Sequence, residues 1–238
     1  MGTAVIRGLL FDKDGTLFDF RATWGAWSRR LLVNLAEEAG VVPEVLGRAV
    51  GYDVATGTFA RDSAVIAHPV PEIAALLLPH LPGMAPDALV ARMNALSAEA
   101  ELVPAVPLPP LFERFRAMGL KIGLVTNDGE EPARAHLVWA GVERYFDFIA
   151  GFDSGHGAKP QPGPLLAFAR AMGLDPSGVA MIGDSRHDLL AGRAAGMPTV
   201  AVLTGVADAA ELASVADVVL PDIGHLPGWL ATREAAPA

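Results

Sequence analysis

The chain is predicted to be an α/β protein, a doubly wound parallel sheet with a smaller α-helical cap inserted into it. Three observations predict this. Short apolar runs do not alternate with polar residues, helical patterns lie between them, and one long helical stretch interrupts the rhythm. Runs this short and this uniformly apolar read as strands covered on both faces. Strand–helix–strand repetition then implies a parallel sheet.

Taken in order, Val5–Phe11 is the first strand and ends at Asp12-Lys13-Asp14-Gly15. Helical pieces follow at Thr23–Ala39, Pro43–Phe59, Glu72–Leu78 and Pro86–Leu102, without a buried strand. Pro104 to Pro110 reads as a stiff, extended connector. Helix Leu111–Met118 leads to strand Lys121–Val125, which ends at Thr126-Asn127-Asp128-Gly129. Helix Glu131–Ala140 precedes strand Phe146–Ala150 and a glycine-rich loop. Helix Pro164–Met172 precedes strand Val179–Ile182, which ends at Gly183-Asp184-Ser185. Helix Arg186–Ala195, strand Thr199–Leu203, helix Ala207–Ala213 and a sixth short run, Val218–Leu220, complete the pattern. Gly119, Gly141, Gly173 and Gly196 stand where four of the helices should close. Residues 1–18 and 105–238 thus form the expected core and 19–104 the expected helical cap. Such a cap would sit over the carboxyl ends of the strands, where open α/β sheets bind ligands. Glu234–Ala238 reads as a frayed end.

Composition narrows the function. The net charge is −9 and hydrophobic residues make up 52% of 238. That is ample for a core and the wrong sign for a nucleic-acid footprint. No cysteine is present, which removes disulfides, thiolate metal sites and thiol nucleophiles. The apolar start runs straight into Asp12-Lys13-Asp14 without the layout of a signal peptide. The longest charge-free stretches, Ile73–Pro86 and Ala194–Ala207, contain proline and fall short of the roughly 20 residues a spanning helix needs. A cytoplasmic protein without membrane or nucleic-acid partners is expected, as a monomer or a homodimer.

Chemistry gathers at the predicted strand ends. Asp12 and Asp14, two apart on an extended chain, leave it on the same side. Together they can hold a divalent cation or divide the roles of nucleophile and proton donor. Asp-Gly between apolar runs is also a hairpin signal. Asp184 and Asp188 lie one helical turn apart, and helix capping by Asp184 or Ser185 is the plainer account of them. Thr126-Asn127-Asp128 can bind an anion through a hydroxyl and main-chain N–H groups, or simply cap a helix. Lys159, one of three lysines, stands in a loop stiffened by Pro160 and Pro162 and by itself reads as a solvated charge. The set is harder to dismiss than its members, because all four signals follow strands of one parallel sheet and converge on one edge.

In that order, Asp12–Thr16, Thr126, Lys159 before proline and Gly183–Asp188 resemble the four motifs of the haloacid dehalogenase superfamily. The resemblance spans the chain and implies a Rossmann-like core with a cap after the first motif, closest to phosphoglycolate phosphatase-like members. It implies that Asp12 attacks phosphorus and that Asp14 handles the proton. Thr126 and Lys159 would hold phosphoryl oxygens, with Gly15, Thr16, Asn127 and Asp128 in the binding loops. Mg²⁺ would be held by Asp12, the Asp14 carbonyl and Asp184, with Asp188 assisting. The expected function is a Mg²⁺-dependent phosphatase acting on a small phosphorylated metabolite, a phosphoglycolate-like phosphomonoester. The alternatives are a phosphomutase with the same aspartyl-phosphate and an idle binding protein on this fold.

Within the resemblance, Asp14 argues against dehalogenation. The absence of any cap lysine argues against Schiff-base phosphonate chemistry. The pattern departs from the family after the first motif, where an Asp-Ser pair is replaced by Asp19-Phe20-Arg21, with Trp24 and Trp27 following. The two tryptophans share a helical face and are expected at the cap–core contact. Arg48 and Arg61 are surface arginines or readers of a substrate carboxylate. His156 and His187 are expected as hydrogen-bonded loop residues without a proton role.

Overall fold

The structure is a computed structural model that describes residues 5–60, 62–98 and 100–234. After β1 (Gly8–Phe11) come α1 (Phe20–Ala39), α2 (Pro43–Val50), the hairpin β2 (Tyr52–Asp53) and β3 (Thr58–Phe59), α3 (Ala64–Ala67), α4 (Val70–Leu77) and α5 (Pro86–Ala98). The chain returns through α6 (Leu108–Ala117), β4 (Lys121–Val125), α7 (Glu130–Trp139), β5 (Phe148–Ala150) and α8 (Gly163–Met172). It ends with β6 (Val179–Gly183), α9 (Arg186–Ala195), β7 (Thr199–Val202), α10 (Ala209–Ala213), β8 (Val218–Leu220) and α11 (Leu226–Glu234).

Six strands form one sheet in the order β5-β4-β1-β6-β7-β8, and every pairing is parallel. β1 is central and buried on both faces, as its unbroken Gly-Leu-Leu-Phe run requires. The chain runs outward from β1 to β4 and β5, then returns to lay β6 on the other side of β1. The carboxyl ends of β1, β4 and β6 therefore meet at a topological switch point. Two apolar clusters cover the sheet's faces, one centred on Phe11, Phe112 and Phe115, the other on Leu10, Phe168 and Met181. The residues between β1 and β4 build a third cluster of their own, from Phe20 through Trp27 and Leu77 to Met93.

Three local expectations are corrected. The helix predicted over Pro43–Phe59 stops at Val50 and gives way to a hairpin. Gly51 adopts a left-handed conformation there, and Asp53 accepts hydrogen bonds from the Ala55 and Thr56 N–H groups, so local polar geometry overrides helical spacing. The connector read as extended through Pro110 already turns into helix at Leu108. Pro109 and Pro110 sit in its first turn, where the N–H they lack has no partner to lose. The helix from Pro86 ends at Ala98 rather than Leu102. The two crossings between sheet and helical insert run side by side. Asp19 N donates to Val103 O at 2.8 Å and Ala105 N to Leu17 O at 2.9 Å. α11 was not foreseen, and residues 235–238 of the expected frayed end lie outside the described residues. Among the described residues no helix is long and apolar enough to cross a membrane.

Candidate active site

Each chemical group is delivered by a strand end. Asp12 follows β1, with its N–H bonded to Ile182 O of β6 at 2.9 Å. Thr126 follows β4 and Asp184 follows β6, while Lys159 comes from the loop after β5. Asp12, Asp14, Thr126, Asn127, Asp128, Lys159 and Asp188 line one cleft between the sheet edge and the helical insert.

Lys159 Nζ lies at the centre. It donates to Asp12 Oδ1 at 2.5 Å, to Asp188 Oδ1 at 2.6 Å and to the Val125 carbonyl at 2.9 Å. Burial alone would favour the neutral amine, but the two carboxylates outweigh it and hold the ammonium well above its usual range. Asn127 fixes the loop, accepting from Lys159 N and donating to Lys159 O, both at 2.9 Å. Oδ2 of Asp12 has no protein hydrogen bond among the described residues.

Oxygen atoms of Asp12, Asp184 and Asp188 lie within 4.8 Å of one another, and all three residues are buried. One ammonium faces these three carboxylates. Burial pushes Asp12 up to about 7, reinforced by Asp188 and Asp14, and raises Asp184 well above the carboxylate range. An uncompensated buried carboxylate cluster is the donor set a hard divalent cation satisfies, so the residues fit Mg²⁺. The two outer aspartates differ. Asp188 gives one oxygen to Lys159 and the other to Ser185, closing a capping box at the start of α9. Asp184 accepts from the Thr16 hydroxyl, at 3.4 Å, and makes no ion pair with Lys159 within 4 Å among the described residues. Capping and chemistry thus share one helix terminus, with Ser185 as the cap.

Gly15 and Gly205 press their backbones against Asp184. Gly15 sits at φ 78°, and a Cβ on it would lie 2.3 Å from the carboxylate. A Cβ on Gly205, after β7, would lie 1.7 Å from it. Thr204 Oγ1 secures this approach by donating to Gly15 O at 2.6 Å.

A second buried network holds Asp14. Lys13, fully buried, contacts Asp14 Oδ2 at 2.8 Å and Asp128 Oδ2 at 3.1 Å. It also donates to His136 Nδ1 at 2.9 Å, while His136 Nε2 donates to Ser97 O at 2.6 Å. The ring must therefore be the neutral Nε2–H tautomer. Burial first, then the Lys13 charge, depress it to about 4. From the helical insert, Trp24 Nε1 donates to Asp14 Oδ1 at 2.7 Å. Thr126 Oγ1 accepts from Asp128 N at 3.1 Å, which leaves its own O–H to donate into the cleft.

The structure brings Asp12, Asp14, Thr126, Lys159, Asp184 and Asp188 together. Thr16 lies fully buried beneath them, and the Asp128 carboxylate is turned to Lys13 and Ser97 rather than to an anion. Trp24 and Trp27 meet edge to face at 5.1 Å within the insert's cluster. His187 lines the cleft, with its ring 5.6 Å from His68. His156 stacks on Phe148 instead. Arg48 lines a separate surface hollow beside the hairpin, and Arg61 lies outside the described residues. Sequence reasoning passed over Lys13, Ser97, His136, Thr204 and Gly205. Lys13 carried a signal: it is one of three lysines and stands between the two candidate aspartates Asp12 and Asp14.

Strand-end carboxylates, a buried lysine and a capping helical insert together define a class of acid-rich α/β hydrolases. The family model of haloacid dehalogenase-like hydrolases matches residues 6–196, and the chain belongs to this family. A phosphoglycolate phosphatase of Xanthomonas campestris is 32% identical over 233 residues, covering 94% of this chain and 97% of that protein. One from Neisseria meningitidis is 39% identical over 115 residues, which span only 48% of each chain. A solved structure from Haemophilus somnus, described as a predicted phosphoglycolate phosphatase, superposes with a TM-score of 0.72 at 17% identity. It covers 96% of this chain and 99% of that one, and at that identity the likeness speaks for the fold.

Proposed function

We propose that the protein is a Mg²⁺-dependent phosphatase that hydrolyses a small phosphomonoester through an aspartyl-phosphate on Asp12, with residues 19–104 as its cap. The observation that carries this reading is the cluster of three buried carboxylates around one ammonium at the ends of the central strands. Asp12, Asp184 and the Asp14 main chain would hold the ion, with Asp188 bracing them. Bound there, Mg²⁺ would neutralise the cluster and stabilise charge on the phosphoryl oxygens.

The chain's own residues do the rest. Lys159 fixes Asp12 through Oδ1, which leaves Oδ2 to attack phosphorus. As the new O–P bond forms, the bond to the leaving oxygen breaks, and Asp14 supplies that oxygen's proton. Asp14 then takes a proton from water as water attacks the aspartyl-phosphate, which returns Asp12 and releases inorganic phosphate. Thr126 donates to a phosphoryl oxygen, and Lys159, its N–H groups held by Asp12, Asp188 and Val125 O, stabilises the phosphoryl oxygens through its charge. The phosphatase names of the relatives support this reading and make phosphoglycolate the reference substrate to assay.

Phosphate release from a panel of phosphomonoesters tests the proposal. Release with Mg²⁺, its loss in excess EDTA and its loss in Asp12→Asn with the fold intact are expected. Sustained turnover by Asp12→Asn, or full activity in EDTA, contradicts it.

A further inference from the structure

The half of the cleft facing the phosphoryl site is apolar. Phe20, Trp24, Trp27, Ile66, Ile73 and Met93 line it, all from the helical insert. The cavity is small, about 70 Å³, room for a handful of non-hydrogen atoms. Charge in the cleft is already committed. Lys159 is held by Asp12 and Asp188, and the buried Lys13 beside the cleft is held by Asp14 and Asp128. No arginine is among the described residues lining the cleft. Arg21, Arg29, Arg30 and Arg48 are exposed, and Arg92 pairs with Glu38 at 2.6 Å. Among the described residues, the insert's only ionisable group on the wall is His68, which faces Glu72 at 2.9 Å. Across from it the His187 ring lies 5.6 Å away.

We propose that this wall selects phosphomonoesters whose leaving group is small, uncharged and apolar, and disfavours those carrying a second anionic group. A phosphoryl group finds the Thr126 hydroxyl and the proposed cation. A carboxylate at the other end of the substrate would be desolvated against indole and aliphatic surface, with Asp14 and Asp128 nearby and no uncommitted lysine or arginine among the described lining residues to meet it. Burying an unpaired carboxylate costs more than its contacts return, whereas each methylene buried there gains about fourfold in affinity. The inference rests on the phosphatase reading and names its substrate class, one that differs from the relatives' phosphoglycolate.

The test compares three esters of one shape: phosphoglycolate, its neutral amide and isobutyl phosphate, in which two methyls replace the carboxylate oxygens. With Mg²⁺, kcat/KM for isobutyl phosphate and the amide should each exceed that for phosphoglycolate by at least about tenfold. Ile66→Lys, at a half-buried wall position, should lower the isobutyl-to-phosphoglycolate ratio by about tenfold. That shift cannot arise from intrinsic differences in ester reactivity. Val65→Lys serves as the second variant should the first not fold. Arg61→Ala should leave the ratio unchanged. Phosphoglycolate turned over as well as or better than its neutral analogues overturns the inference while leaving the phosphatase reading intact, as does a preference for it that disappears in Arg61→Ala. Release of phosphate from none of the three, nor from any other phosphomonoester, removes the phosphatase reading and the inference with it.

Discussion

At the scale of single residues, two buried ammoniums hold the two aspartates of the proposed chemistry. Lys159 aims Asp12, and Lys13, with the Trp24 indole, holds Asp14. Trp24→Phe keeps an aromatic ring in the cluster but removes the N–H, so Asp14 loses its hydrogen bond from the helical insert. We expect kcat to fall about tenfold with a smaller change in KM, most steeply for poor leaving groups that need the proton. Equal losses across leaving groups would contradict that role. His136 yields a pH signature. Its folded value of about 4 lies below the usual 6.5, so its contribution is present above pH 6.5 and is lost as pH falls toward 4. Gln can keep both of its hydrogen bonds without titrating. Chemical denaturation of the parent and His136→Gln across that window should show the parent losing on the order of 3 kcal/mol more, with the other carboxylates common to both.

At the scale of elements, strand ends and tight loops place the groups. The loop after β7 contributes no ligand, yet its Gly205 lies where any side chain would strike Asp184. Gly205→Ala should therefore raise the Mg²⁺ concentration for half-maximal activity by about tenfold or more, although every proposed ligand is retained. An unchanged Mg²⁺ titration would show that Asp184 is free to move. The same loops explain what could be read from the chain. Core strands were legible because both faces of each are buried, so the apolar run itself is the signal. Helix boundaries were less legible. The hairpin after Val50 depends on a left-handed glycine and an Asp53 turn, and α6 begins under prolines that read as a connector.

At the scale of the molecule, the sheet edge supplies the buried carboxylates and lysine of the cleft, and the helical insert supplies the opposite wall. Asp12, Asp14, Lys159, Asp184 and Asp188 were visible in the sequence because carboxylate pairs and a lysine recur after successive strands of one sheet. Lys13, Ser97 and His136 were not, because their network joins three distant segments whose approach only the fold creates. The central claim is a covalent phosphoryl group on Asp12, and Asp14→Asn exposes it most directly. That variant retains the nucleophile but cannot deliver the proton acceptor that activates water, so with an aryl phosphate and Mg²⁺ the intermediate should accumulate. Acid quench, digestion and peptide mass spectrometry should find one added phosphoryl group on the peptide carrying Asp12, and none in Asp12→Asn/Asp14→Asn. Aryl phosphate turnover by Asp14→Asn with that peptide never modified, or modification at another residue, would contradict the account.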